Sequence, residues 1–218
     1  MAGARLETRI RRDQIAEATL ALVAEHGLGG ISVAAVARRV GIAPSALYRH
    51  YPGKDAILDA VLDRVQERML GMVARVAEGP GDAVDALHRL LALHIALVSE
   101  NKALFPLLVS DAFQSGGPAR RRRVYAVITG YLGRVAALAR RGQREGCIRD
   151  DVPPRTLAMM FLGIVQPPAM LSVLSGGTFD SRRPGREAWR LFEQTLRTAP
   201  ARSGAPRTAR LRRHGETR

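Results

Sequence analysis

The stretch SVAAVARRVGIAPSALYRHYPGK, from Ser32 to Lys54, decides the fold. It reads as two short helices joined by a tight turn. Ser32 is a natural N-cap, because its hydroxyl can accept from a free amide in the first turn of the helix that follows. Val33, Val36, Ala37 and Val40 recur at helical spacing and form one apolar stripe. Gly41 then supplies the left-handed conformation that ends a helix and turns the chain. Pro44 suits the first position of a second helix, where its missing N–H costs nothing. That second helix, about Pro44 to Tyr51, has Leu47 and Tyr51 at i and i+4 as anchors. Ser45, Ala46, Tyr48, Arg49 and His50 are left to point elsewhere. A helix this short is held by its neighbours. It offers small, hydroxyl, aromatic and basic groups outward, which a helix reading the major groove requires.

These residues resemble the helix-turn-helix of the TetR-like (tetracycline-repressor) family of bacterial transcription regulators. The resemblance is carried by Ser32-Val33, Val36-Ala37, Val40-Gly41-Ile42, Leu47-Tyr48, His50-Tyr51 and Lys54. It extends upstream through Ile15-Ala16, Ala18, Leu22 and Glu25-His26-Gly27, and downstream into Ile57-Leu58, so that it covers most of residues 9–62. Ala43 stands where the family often has a hydroxyl residue, so the reading helix lacks a side-chain cap. The resemblance implies DNA contacts by Ser32, Val33, Pro44, Ser45, Ala46, Tyr48, Arg49, His50 and Lys54. Tyr48, His50 and Lys54 would meet phosphates, with Lys54 opening a helix whose N–H groups face the same way. Ser45, Ala46 and Arg49 would face base edges. Arg49 is suited both to a bidentate guanine contact and to a phosphate.

Away from this stretch, apolar residues also fall at helical spacing and few segments alternate as strands do, so the class is all-α. The chain has 218 residues and a net charge of +14. Residues 1–60 carry 8 basic and 6 acidic side chains, residues 61–181 carry 15 and 11, and residues 182–218 carry 11 and 3. The excess therefore lies mainly at the C-terminal end, outside the reading head, so charge alone is poor evidence for nucleic acid. Cys147 is the only cysteine, which excludes a disulfide framework within the chain and suits a reducing, cytoplasmic setting. The N-terminus lacks the apolar segment of a signal peptide.

The expected organisation is a flexible lead (1–8), a DNA-binding head (9–69, motif 32–51), a helical ligand and dimerisation domain (70–198) and a disordered basic tail (199–218). Within it, helices are expected at about 9–26, 54–77, 82–100, 103–113, 118–144, 154–166, 168–174 and 184–198. A break falls at Gly79–Gly81 and a polar turn at Gly146–Pro153. That turn, glycine followed by Ile-Arg and an acidic-Val-Pro run, also resembles a connection common in the family.

Residues Thr156–Phe179 carry no charge and are long enough to cross a bilayer. Pro167-Pro168, Gln166 and three glycines argue instead for a helix buried by its own domain and a partner subunit, kinked or split at the prolines. Arg120–Arg123 at a helix start reads as a solvated run. His88 and His94 read as core or edge histidines. No metal-ligand spacing, nucleophile elbow, phosphate loop or dinucleotide fingerprint occurs, so neither a cofactor nor an enzyme activity is expected.

The family resemblance implies a homodimer through the last two long helices, with Leu162, Trp189, Phe192 and Leu196 as candidate interface residues. It also implies a small, largely apolar effector that releases DNA. Candidate pocket residues are His94, Phe113, Tyr125, Thr129, Met159 and Gln166. The rival readings are a helical carrier or enzyme with a vestigial head, and a nonspecific DNA-coating protein driven by the basic tail.

Overall fold

The computed structural model describes residues 2–27, 30–101, 117–176, 178–180 and 182–197. Among these the chain is helical throughout, with no strand. The elements are α1 (Ala2–His26), α2 (Val33–Val40), α3 (Pro44–Tyr48), α4 (Lys54–Ala77), α5 (Ala83–Glu100), α6 (Gly117–Glu145), α7 (Pro154–Leu174) and α8 (Arg182–Leu196). The helix expected at 103–113, and with it Phe105 and Phe113, lies outside the described residues, as does the tail from 199 onward.

Two expectations change at element ends. Residues 2–8 form the first turns of α1 rather than a flexible lead. Alanine, arginine, leucine and glutamate all favour helix, and no proline interrupts them. The pair Pro167-Pro168 does not split α7, which is one continuous helix. The cost is borne locally: the carbonyls of Gly163 and Ile164 lose their intrahelical donors.

Two apolar cores form, and α4 runs through both. The head core gathers Ile15, Leu22 and Val23 of α1, Val36 and Ala37 of α2, Leu47 of α3, and Ile57, Leu58, Val61 and Leu62 of α4. The second core gathers Met72, Val73 and Val76 of α4 with Leu87, Leu90 and Leu91 of α5, Tyr131, Val135 and Leu138 of α6, Phe161 and Val165 of α7, and Trp189, Phe192 and Leu196 of α8. Val124 of α6 crosses over and packs in the head core, and Met69, Leu97 and Ile128 touch both. The two halves are therefore joined by packed side chains as well as by α4.

The break at Gly79–Gly81 has a local cause. Gly81 sits at φ 87°, a conformation that favours glycine. Asp82 then caps α5 by accepting from the amides of Val84 and Asp85, while the Asp85 carboxylate accepts from the Asp82 amide at 3.1 Å. At the α6–α7 connection, Gln143 Nε2 donates to the carbonyls of Arg149 and Val152, both at 2.9 Å, and the Arg149 amide donates to Leu196 O at 2.8 Å. The polar turn thus fastens the end of α8 to the end of α6. Gly142 permits the approach, since a Cβ there would lie 2.5 Å from Ile148 Cδ1.

Candidate nucleic-acid interface and effector cavity

The turn between α2 and α3 is built as its residues dictate. Ser32 Oγ accepts from the Ala35 amide at 3.0 Å. Gly41 adopts φ 76°, and the Ile42 amide returns to Ala37 O at 3.0 Å. Pro44 occupies the first turn of α3, and Ala43 offers no side-chain cap. The regular helix ends at Tyr48, shorter than the span expected, because Pro52 lacks an N–H and disfavours helix at the residue before it. The turn is finished by the amides of His50 and Tyr51, both donating to Leu47 O.

Leu47 and Tyr51 are buried and anchor α3. Tyr48 is 54% exposed. Ser45 and Arg49 are exposed, Ala46 and His50 half-buried, and the guanidinium of Arg49 has no partner among the described residues. Ser32 is exposed and Val33 half-buried at the start of α2, Pro44 is exposed, and Lys54 stands at the start of α4. Arg39, by contrast, is held by an exposed ion pair with Glu25.

Two features escape a reading of the sequence. Arg12 of α1 lies over the Tyr51 ring, 5.2 Å from its centroid, and Nη2 donates to His50 O at 3.3 Å. It therefore secures the C-terminal end of the reading helix. The second feature is a clamp between α6 and α4. Arg120, expected in a solvated run, has a side chain only 5% exposed. It donates to Asp55 Oδ1 at 3.0 Å, Asp55 O at 3.2 Å and Asp59 Oδ1 at 3.1 Å. Arg123 pairs with Asp63 and lies 3.9 Å from Asp59. The three aspartates stand four residues apart on one face of α4, and this acidic stripe is the sequence signal for the clamp. Its first member follows Lys54 directly.

An apolar cavity of about 110 Å³ lies in the seam where the two cores meet. Val65, Met69, Leu97, Val124, Ile128 and Val165 form much of its wall, with His94, Tyr131 and Gln166 as its polar members. Of the candidate pocket residues that are described, His94 and Gln166 belong to it. Tyr125, Thr129 and Met159 line a separate open groove on the outer face of α6 and α7. The reason is helical phase: Val124, Val127, Ile128 and Tyr131 occupy the inward face of α6, which turns Tyr125 and Thr129 away. Tyr125 is 71% exposed, and the Thr129 hydroxyl donates to Tyr125 O at 2.7 Å.

The candidate interface residues are also relocated. Leu162, Trp189, Phe192 and Leu196 are buried within the protomer. Trp189 and Phe192 contact edge-on at 5.9 Å, and the exposed His88 stacks flat on Trp189 at 4.8 Å. The amphipathic stripe of α8 is spent on its own core, facing α5 and α7. What α7 and α8 leave exposed is a different set: Met159, Met160, Met170, Leu171, Leu174 and Leu191.

Burial lowers the His94 pKa from 6.5 to about 4. The unfolded chain therefore takes up a proton near pH 6.5 while the folded chain resists until about pH 4. Folding stability is expected to fall with decreasing pH across that window, by up to about 3 kcal/mol, because the neutral form is lost first from the unfolded state. Urea titrations between pH 7 and pH 4 check this, and His94→Leu should flatten that part of the slope.

A capped two-helix turn with an exposed basic and aromatic outer face, joined through packed side chains to a second helical core with a cavity at the seam, defines a helix-turn-helix DNA-binding regulator. Residues 15–61 match the model of the bacterial regulatory proteins of the tetR family, and residues 64–194 match that of the YsiA-like protein C-terminal region. The chain belongs to the TetR family of DNA-binding transcription regulators. Curated relatives include proteins named nucleoid occlusion factor SlmA. The one from Marinobacter nauticus is 27% identical over 148 residues, covering 68% of this chain and 74% of that protein. The one from Vibrio campbellii is 24% identical over 202 residues, covering 90% and 100%. Among solved structures, the fatty acid degradation regulator FadR from Bacillus halodurans superposes with a TM-score of 0.71 at 20% identity, over 84% of this chain and 94% of that one. FadR from Bacillus subtilis, solved with stearoyl-CoA, gives 0.69 at 19% identity, over 84% and 98%. These likenesses establish the shared fold. No helix among the described residues is long and apolar enough to cross a membrane. No group of three metal-ligating side chains occurs among them either.

Proposed function

We propose that this chain is a homodimeric repressor that holds a palindromic operator and releases it when a small, largely apolar molecule enters the seam cavity. The observation that carries the reading is the outer face of α3, where Tyr48 and Arg49 are exposed while Leu47 and Tyr51 beneath them are buried. A vestigial head on a carrier or an enzyme has no reason to keep that face together with its Ser32, Gly41 and Arg12 supports. Ser45, Ala46 and Arg49 face the base edges. Ser32, Val33, Pro44, Tyr48, His50 and Lys54 place the head on the backbone. The dimer forms through the apolar surface that α7 and α8 leave uncovered.

The cavity is suited to control this head because its wall belongs to both cores: Val65 and Val124 to the first, Val165 and Tyr131 to the second. A guest that displaces Val124 or Ile128 moves α6. Arg120 and Arg123, one turn earlier on the same helix, then pull on Asp55, Asp59 and Asp63 and shift Lys54 and α3 with them. Such coupling is reciprocal: the guest weakens operator binding by the factor by which the operator weakens guest binding.

The test is selection of bound sequences from random DNA, followed by titration of the selected duplex. Arg49→Ala is expected to flatten preference at one or two base pairs, costing about 1–3 kcal/mol of discrimination. Tyr48→Ala and Lys54→Ala should weaken all sequences alike, and Lys54→Ala should also lower the salt slope by about 1. Unchanged base preference in Arg49→Ala would remove that residue from the reading set. The SlmA-named relatives support a second reading, a nucleoid occlusion factor. Mapping binding across the chromosome tests the repressor reading: occupancy confined to a few promoters supports it, and occupancy at many scattered sites overturns it.

A further inference from the structure

The seam cavity carries one polar feature deep in its wall, and its hydrogen-bond direction is fixed by the protein. His94 of α5 and Tyr131 of α6 meet with Oη 2.9 Å from Nδ1 and the rings edge-on at 5.2 Å. Tyr131 is fully buried, and His94 Nδ1 is its hydroxyl's only polar partner among the described residues. If Nδ1 carried the proton, the phenol would accept it and leave its own buried O–H without an acceptor, a costly arrangement. The phenol therefore donates to Nδ1, and the single proton of a neutral imidazole must sit on Nε2. Burial keeps both groups uncharged, lowering the imidazole pKa to about 4 and raising that of the phenol. Nε2 has no protein partner among the described residues, and the ring is part of the cavity wall.

The rest of the wall bounds what can approach that N–H. Among the described lining residues there is no aspartate, glutamate, lysine or arginine on α4, α5, α6 or α7. An ionised carboxylate or ammonium would lose its hydration there with no counter-charge to replace it. The other polar member, Gln166, is exposed at the edge. A volume of about 110 Å³ is below the ~300–1,000 Å³ of common ligand pockets and near that of an engineered cavity that holds benzene.

We propose that the cavity takes a small, uncharged, largely apolar molecule bearing one neutral acceptor, a carbonyl or ether oxygen, that receives the Nε2–H of His94. This deepens the effector reading above and rests on it only for the site. Tyr131 is the positioning residue: it touches no guest oxygen but fixes which nitrogen of His94 presents a proton.

The experiment uses the full chain at pH 7 with four probes of one shape: acetophenone, ethylbenzene, benzoate and benzylamine. Calorimetry should find acetophenone bound roughly tenfold more tightly than ethylbenzene, the worth of one neutral hydrogen bond. Benzoate and benzylamine should give no binding heat at concentrations that saturate the ketone. In His94→Phe the preference for ketone over hydrocarbon should vanish while ethylbenzene still binds, and in Tyr131→Phe it should shrink as the proton is freed to move. Nitrogen-15 spectra of the intact protein should report the Nε2–H tautomer, a readout independent of whether either variant folds. The proposal is overturned by an Nδ1–H tautomer, by equal affinity for ketone and hydrocarbon, by tighter binding of either ion, or by no binding of any probe. Acetophenone that binds as described yet leaves operator affinity unchanged would sink the effector reading and leave this assignment standing.

Discussion

Leu174→Glu combined with Leu191→Glu is expected to yield folded monomers that bind the operator roughly 10²–10⁴-fold more weakly than the parent chain. Leu174 is 74% exposed and Leu191 67%, so neither change removes core packing. Together with Met160, Met170 and Leu171 they form apolar surface on α7 and α8 that water alone would cover in a monomer. A two-fold dimer pairing that surface presents two copies of α3, with half-sites about 34–36 Å apart or a multiple of it. Two glutamates per protomer would bury four charges in such an interface. The loss in DNA affinity follows from geometry: a monomer engages one half-site and forfeits the effective concentration supplied by the second. Sedimentation and duplex titration check the two halves of the expectation separately. A variant that stays dimeric would show that the pairing surface lies elsewhere. Phe192→Arg makes the complementary control, since Phe192 lies in the protomer core 6.4 Å from Phe161 and its replacement should unfold the C-terminal half.

The second large effect is expected at the clamp. Arg120→Ala with Arg123→Ala should leave guest binding in the cavity near its parent value and abolish most of the guest's effect on DNA. Coupling of the usual size, about 1–3 kcal/mol or roughly 5- to 150-fold, would collapse toward 1. Asp55 and Asp59 are reached by Arg120 from α6, and Asp55 is the neighbour of Lys54 at the N-terminal end of α4. The carboxylates left behind are exposed, 81% for Asp55 and 54% for Asp63, so the stability loss should be modest. They would also stand uncompensated and repel DNA phosphates, lowering basal operator affinity most at low salt, where the repulsion is least screened, and so making the salt slope shallower. Restoring that affinity by adding Asp55→Asn and Asp59→Asn would assign the loss to charge. Full retention of the guest effect in the arginine double variant would route the coupling through Val124 and Ile128 packing alone.

Much of the reading head is legible in the amino-acid sequence because its determinants are local. Ser32 caps, Gly41 turns, Pro44 starts and Leu47 anchors within twenty residues, and each acts through the conformational preference of its own backbone. The inward faces of α4 and α5 are legible for the same reason, since a repeat of three to four residues fixes which side of a helix is apolar. The sequence alone thus determined an all-α chain with a helix-turn-helix head of the TetR type, and a second helical region behind it.

What the tertiary structure decided are the matters that depend on which helix faces which. Trp189, Phe192 and Leu196 make a stripe suited equally to a core or to a partner, and only the packing of α8 on α5 and α7 assigns them to the core. Tyr125 and Met159 look like pocket residues by type, yet the phase of α6 and α7 turns them to the surface. Arg120 looks solvated until Asp55 and Asp59, some sixty positions earlier, are brought within 3.1 Å of it. His94 becomes a directed donor only because Tyr131 meets its other nitrogen. Periodicity reports that a face is buried; long-range packing, in which distant residues share one cavity or one ion pair, reports what it is buried against.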